Sequence, residues 1–373
     1  MMNVGWIWRA SALVGVLVTL AACGGGSGNG ALADSEDSDD AQSSVSSPTT
    51  STTTTTPVEI EAGLKAPFTG LPADEDLLAL PAVVVKIGNN DDRSLESLIG
   101  IDHADLVVEE RIEDRATRFA AVFHSDIPEV AGPVRSGRTT DVNILANLGA
   151  PIFAFSGANI GVLGQLRESA GRGDVVLVAN DDSGIYQFRD ADYRNPADLF
   201  VYPDLIREDF AAQAGAAVGP FQFRRDGSPD RPGGVDGAAV TVFGRDTVSF
   251  VFDPSRGYVR VQDGAVHSTR DGHDIVVTNL IVMETEYSPS LIDAQSVDAV
   301  TLGEGVVHVM IGGRRVAGVW RRATASDSYT LVGDDGSVIE LEPGTTWLIL
   351  APADSYEFAA DDETQRLVLG NLG

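Results

Sequence analysis

The sequence predicts an α+β protein: a mixed, sandwich-like N-terminal α/β domain followed by a β-rich C-terminal domain. Three observations carry this reading. From Val58 to residue 218, short apolar runs of strand length alternate with segments of helical spacing. From residue 238 onward, nearly every apolar run is strand-length and bounded by a turn signal. Between them, Gly219-Pro220, Asp226-Gly227, Pro229, Pro232-Gly233-Gly234 and Asp236-Gly237 crowd breakers into residues 219–237. That stretch is the expected linker between domains at 58–218 and 238–373.

The elements follow in order. Residues 1–23 read as a lipoprotein signal: Arg9, then an apolar run of 13 residues from Ala10 to Ala22, then Leu20-Ala21-Ala22-Cys23 as a lipobox. The run is shorter than the roughly 20 residues a spanning helix needs. Cys23 is the expected acylation site, which anchors the protein in the cell membrane on its extracytoplasmic face. Residues 24–57 form an acidic, Ser/Thr-rich tether, with Leu32 its one large apolar residue before Pro57. As a coil of 34 residues it spans about 30–35 Å.

Ala82–Ile87, Asp105–Glu109 and Thr117–Phe123 read as strands. Thr139 or Thr140 begins a helix through Val142, Ile144, Leu145 and Leu148, which Gly149 ends. Pro151–Phe155 is a strand. Ile160, Leu163 and Leu166 mark a second helix that Gly171 closes. Val175–Val178 is a strand, and Asp204–Ala214 a third helix with Leu205, Ile206 and Phe210 inward. The C-terminal strands are Thr247–Phe252, Tyr258–Val261, Ile275–Met283, Val306–Ile311, Val316–Trp320, Val338–Leu341 and Trp347–Leu350.

Composition bounds the function. The 373 residues carry 26 Lys+Arg against 55 Asp+Glu, a net charge of −29. A chain this acidic lacks the basic surface that nucleic acid requires. It also lacks a polybasic membrane face. The single Cys excludes intrachain disulfides and a multi-cysteine zinc site. It also excludes a thiol nucleophile, because Cys23 is committed to lipid. Neither Lys65 nor Lys86 has a Ser three residues before it, and no GxSxG, HExxH, Walker A or GxGxxG motif is present.

Several segments resemble the YerB-like lipoproteins, a family without an assigned function. They are Pro67-Phe68-Thr69-Gly70-Leu71-Pro72, Ala104–Glu109, Thr117-Arg118-Phe119 and Gly132-Pro133-Val134-Arg135-Ser136-Gly137-Arg138. In the second half they are Phe252-Asp253, Tyr258-Val259-Arg260, Asn279–Val282, Gly318-Val319-Trp320 and Pro343–Trp347. The resemblance spans Ala66 to Pro352, and its most specific stretch is Gly132–Arg138. It implies a two-domain α+β extracytoplasmic lipoprotein and no particular reaction. Where the family carries a Pro-His-Asn-Leu-Tyr-like run, this chain has Pro196-Ala197-Asp198-Leu199-Phe200.

The candidate binding residues are Arg135, Ser136 and Arg138, with Arg118 and Arg194. Two guanidiniums, a hydroxyl and glycine-freed N–H groups before a helix suit a carboxylate or phosphate. The competing role for these arginines is internal pairing with Glu109, Glu110 or Asp141. Glu109, Glu110 and His124 are the candidate acid–base residues, although strand alternation sends Glu109 and Glu110 to opposite faces. His267, His273 and Asp274 match no metal motif, so neither a metal nor another cofactor is expected. The expected function is a lipid-anchored protein that binds an anionic small molecule, a cell-wall fragment or an envelope protein. The alternative is a hydrolase of cell-wall or glycan material built on Glu109 or Glu110 with His124. A purely structural assembly factor is a third reading.

Overall fold

The computed structural model describes residues 63–359 apart from 90, 180–183, 229–235 and 294. The signal, lipobox and tether read from the sequence lie outside the described residues. The described residues form one compact unit.

A ten-stranded mixed sheet runs through the molecule. Its order is Thr330–Gly333, Arg314–Arg322, Gly303–Ile311, Asn279–Glu284, Thr346–Ala351, Leu106–Arg111, Thr117–Phe123, Val83–Gly88, Ile152–Phe155 and Val176–Ala179. The first five strands come from beyond residue 238 and the last five from before 218. They join where Thr346–Ala351 runs parallel to Leu106–Arg111, with Trp347 opposite Val107 and Ile349 opposite Glu109. The fold is α+β as the sequence predicts. All named helices precede residue 214, and every named element from Ala239 on is a strand.

The strands near this join are buried on both faces, which is why they read as unbroken apolar runs. On one face Val85, Ile87, Val107, Phe119, Ala121, Trp347 and Ile349 meet a second sheet and helix Pro203–Phe210. That second sheet comprises Ala265–Val266, Gly257–Gln262, Thr247–Asp253, Ala239–Phe243 and Tyr356–Phe358, with Val276–Val277 beside Gly257–Gln262. On the other face Val84, Leu106, Val108, Ala120, Val122 and Leu348 pack under helices Thr139–Leu145 and Ile160–Arg172 and the segments carrying Phe68, Phe221 and Tyr329.

Local chemistry sets the helix ends. Asn159 caps the longer helix by accepting the Val162 N–H at 2.9 Å. The helix runs through Gly171 and stops at Gly173, whose φ of +83° closes it. On the shorter helix Pro203–Phe210, Ile206 is buried, but Leu205 faces outward, contrary to the sequence reading. Ile275–Met283 is two strands, because the chain leaves one sheet at Val277 and enters the other at Asn279. Val338–Leu341 makes single bridges and no strand.

Asp105 ties the start of strand Leu106–Arg111 to the end of its neighbour. Its carboxylate accepts the Ser125 N–H at 2.7 Å and the Ser125 hydroxyl. Burial outweighs these bonds and raises its pKa from an ordinary 3.8 to about 6. The fold therefore holds this proton more tightly than the unfolded chain does. Stability from this group is absent above about pH 6 and grows as pH falls toward the unfolded value. The difference is worth about 3 kcal/mol, at about 1.4 kcal/mol per tenfold in proton affinity. Asp105→Asn is expected to raise stability near neutrality and to flatten the slope between these pH values. Denaturant melts across that range check it, and an unchanged slope would remove Asp105 as its source.

Candidate functional site

The Gly132–Arg138 segment is threaded between two strands before it enters a helix. Gly88 N–H donates to Pro133 O at 2.9 Å, Arg135 N–H to Lys86 O at 2.8 Å and Val134 N–H to Leu199 O at 2.7 Å. On its far side Ser156 N–H donates to Arg135 O at 3.0 Å, and Gly137 N–H to Gly157 O at 2.9 Å. Gly88 is required because the Arg135 stem lies over it. A Cβ there would sit 2.7 Å from Arg135 Cγ. Arg138 then caps helix Thr139–Leu145, its N–H donating to Asp141 Oδ2 at 2.7 Å.

This threading gathers three arginines. Arg118 and Glu110 are register partners on adjacent strands and share the face on which the loop lies. Arg118 Nη1 donates to Ser136 O at 3.0 Å. Arg135 Nη1 is 3.7 Å from Asp91 Oδ2, and Arg138 Nη2 pairs closely with Glu113. Beneath them Lys86, Glu110 and Asp141 form a wholly buried ion triad. Lys86 Nζ bonds Glu110 Oε1 and lies 2.7 Å from Asp141 Oδ1.

The electrostatics follow from crowding and burial. Arg118 is pushed down to about 9, first by burial and then by the charges of Arg138 and Arg135. Burial also lowers Arg135. Glu110 is raised, chiefly by burial and further by Asp141, against the pull of Lys86. Among the described residues, several buried polar atoms here have no hydrogen-bond partner: Arg118 Nε, Arg135 Nη1, Arg138 Nε, Glu110 Oε2 and Glu113 Oε2. Buried polar atoms are ordinarily satisfied, so such a cluster demands an explanation.

The remaining candidates lie elsewhere. Glu109 occupies the opposite face of the sheet, as strand alternation requires. It accepts from Thr117 Oγ1 at 2.8 Å, Trp347 Nε1 at 2.9 Å and Arg260 Nη2 at 3.1 Å. Arg260 is fully buried, its guanidinium 5.2 Å from the Phe119 ring and 5.3 Å from that of Trp347. It also donates to Gln262 and contacts His267. Burial, with the Arg260 charge second, pushes His267 well down and keeps it neutral. His273 instead faces outward, to Asp102 at 2.9 Å.

His124 follows the end of strand Thr117–Phe123 that lies away from Arg118, about 20 Å along the strand. There it is buried edge-on against Phe68, and burial lowers its pKa. The pairing of Glu109 or Glu110 with His124 expected for hydrolysis is therefore not assembled. Arg194 is exposed on the loop that follows Asp190. Nearby, Ala197 is buried and Asp198 pairs with Arg189 at 2.7 Å, so the departure from the family run is filled by packing and an ion pair.

Comparison with known proteins fits this architecture. Residues 68–217 match the model described as "Protein of unknown function (DUF3048) N-terminal domain", and 238–348 match its C-terminal counterpart. "Putative lipoprotein YerB" of Bacillus subtilis (strain 168) is 26% identical over 303 residues, covering 78% of this chain and 86% of that one. The chain belongs to the YerB-like lipoprotein family. The crystal structure of the YerB protein from Bacillus subtilis superposes with a TM-score of 0.67 at 22% identity. It covers 79% of this chain and 99% of that one, and thus shares the fold.

Within this family fold, the motif segments do structural as well as local work. Thr69 O of the Pro67–Pro72 segment accepts Gly344 N–H at 2.7 Å, which ties the first half to the Pro343–Trp347 stretch. Sequence reasoning missed Lys86 and Arg260 as site residues, and named Asp141 only as a pairing partner for the loop arginines. A signal was present for Lys86, since a lysine inside an apolar strand requires a buried partner.

Proposed function

We propose that this protein is a membrane-tethered binding protein whose Arg118, Arg135 and Arg138, with Ser136, take a phosphate- or carboxylate-bearing ligand. The observation that carries this reading is that, among the described residues, buried guanidinium nitrogens on three neighbouring arginines lack a hydrogen-bond partner, with Arg135 held only by a long 3.7 Å ion pair to Asp91. An anion there supplies acceptors and offsets the Arg138 and Arg135 charges that, after burial, lower Arg118. Tethering rests on the Leu20–Cys23 lipobox and on the lipoprotein name of the Bacillus subtilis relative. Among the described residues no helix is long and apolar enough to cross a membrane. Hydrolysis has no comparable support, because Glu110 is engaged by Lys86 and His124 lies far along the strand.

Calorimetry with inorganic phosphate, sulfate and a muropeptide tests the reading, with melting curves alongside. Arg135→Ala is expected to weaken binding roughly ten- to a hundredfold, the worth of one charge-assisted bond. Arg135→Lys should lose much of the same, since an ammonium cannot reproduce the planar fork. Glu113→Gln frees Arg138 and should tighten binding severalfold. A protein that binds none of these anions, and whose Arg135→Ala and Arg138→Ala variants are strongly destabilised, would make the loop a structural clasp.

A further inference from the structure

The loops that rim the arginine cluster end in aliphatic side chains held in solvent. Leu291 is 100% exposed and Ile160 92%, with Ile292 beside them at 38%. Local structure gives no reason for an isoleucine at the first position of a helix, where proline and acidic residues are favoured. The two tips form one surface. A Cβ on Gly161 would meet Ile292 O at 2.9 Å, and the Asn159 amide donates to Asp293. That surface adjoins the cluster, because Ser156 and Gly157, just before Asn159, hydrogen-bond to Arg135 and Gly137. Asp293 also senses the Arg138 charge.

A cationic cluster beside an aliphatic rim matches an amphiphile: guanidiniums for a phosphate, and apolar tips for the hydrocarbon beneath it. We propose that this edge docks on the membrane, with Leu291, Ile160 and Ile292 in the acyl boundary and the Arg135–Arg138 loop holding the phosphate of an anionic phospholipid. The proposal rests on the anion-binding reading above. Three observations favour a lipid over a soluble or protein partner. At −29 the protein as a whole is repelled by anionic headgroups, so contact with them needs a cationic site such as this cluster. Three aliphatic side chains fall short of the roughly 1,200 Å² that a stable protein interface buries. Finally, residues 24–57 allow a reach of about 30–35 Å from an acylated Cys23, so the local lipid concentration is high and a weak contact suffices.

The test uses the acylated full chain in vesicles. Acylation consumes the only native thiol, so a Leu291→Cys variant takes a single bimane label. In phosphatidylcholine vesicles containing phosphatidic acid, its emission should shift to the blue and be quenched by brominated acyl chains. A label at Val338→Cys, 47% exposed and bridged to the far-edge strand Thr330–Gly333, should stay in water. Arg135→Ala and Ile160→Ser should each lower insertion about tenfold. A label at 291 as wet as one at 338 overturns the docking. Insertion indifferent to phosphatidic acid and to Arg135→Ala overturns the headgroup assignment. Calorimetry with inorganic phosphate separates the two readings: binding without insertion leaves the anion site standing and removes the membrane role.

Discussion

Lys86→Met is expected to cost about 3–5 kcal/mol of stability near neutral pH, the scale for removing one partner of a buried ion pair. Lys86 is fully buried between Glu110 and Asp141, whose side chains are 1% and 0% exposed. Without the ammonium, two carboxylates face each other in a dry pocket. Burial already raises Glu110, and loss of Lys86 raises it further. A folded pKa above the unfolded value of about 4.3 means that stability is missing at neutrality and returns as pH falls toward that value. The loss should therefore shrink in mildly acid buffer. Lys86→Met combined with Glu110→Gln should recover much of it, because Asp141 keeps the Arg138 N–H. Denaturant unfolding at neutral and mildly acid pH measures both effects. A loss under about 1 kcal/mol, typical of an exposed pair, would mean that water reaches the triad.

Those same residues show where sequence reasoning ends. Lys86 stands out within Ala82–Ile87, but its partners lie 24 and 55 positions away, and only strand register and loop threading bring them in. The arginine loop was legible because it is a short local motif, and Arg118 reaches it through simple strand pairing. The opposite faces of Glu109 and Glu110 follow from the period of two. His124 misled because it is close to Glu109 in sequence while its antiparallel strand carries it to the far end. Arg260 was legible only as a strand residue, since its partner Glu109 is 151 positions away. Thr278 hides a change of sheet inside one apolar run, a feature that hydrophobicity alone does not report.

Expressed separately, residues 58–218 and 238–373 are each expected to be insoluble or unfolded, although each holds the match to one family domain. Separation strips the partner from Leu106–Arg111 and from Thr346–Ala351 in mid-sheet, leaving long apolar edges open to aggregation. It also uncovers Trp347, which packs edge-on to Phe119 at 5.0 Å, and parts Glu109 from Arg260 at 3.1 Å. Each charge is then left beside apolar surface without its counter-ion. A protease site placed within 229–235 should behave differently. The cut chain should elute as one particle, because the sheet and the buried ion pair still join the pieces. In that cut protein Arg260→Ala, which leaves Glu109 buried and unpaired, should lower the melting temperature and promote dissociation of the fragments. Size-exclusion chromatography and circular dichroism of the fragments decide it. If residues 238–373 alone were soluble and unfolded cooperatively, the family boundary would also be a folding boundary, and the continuous sheet would be a docked interface between two autonomous domains.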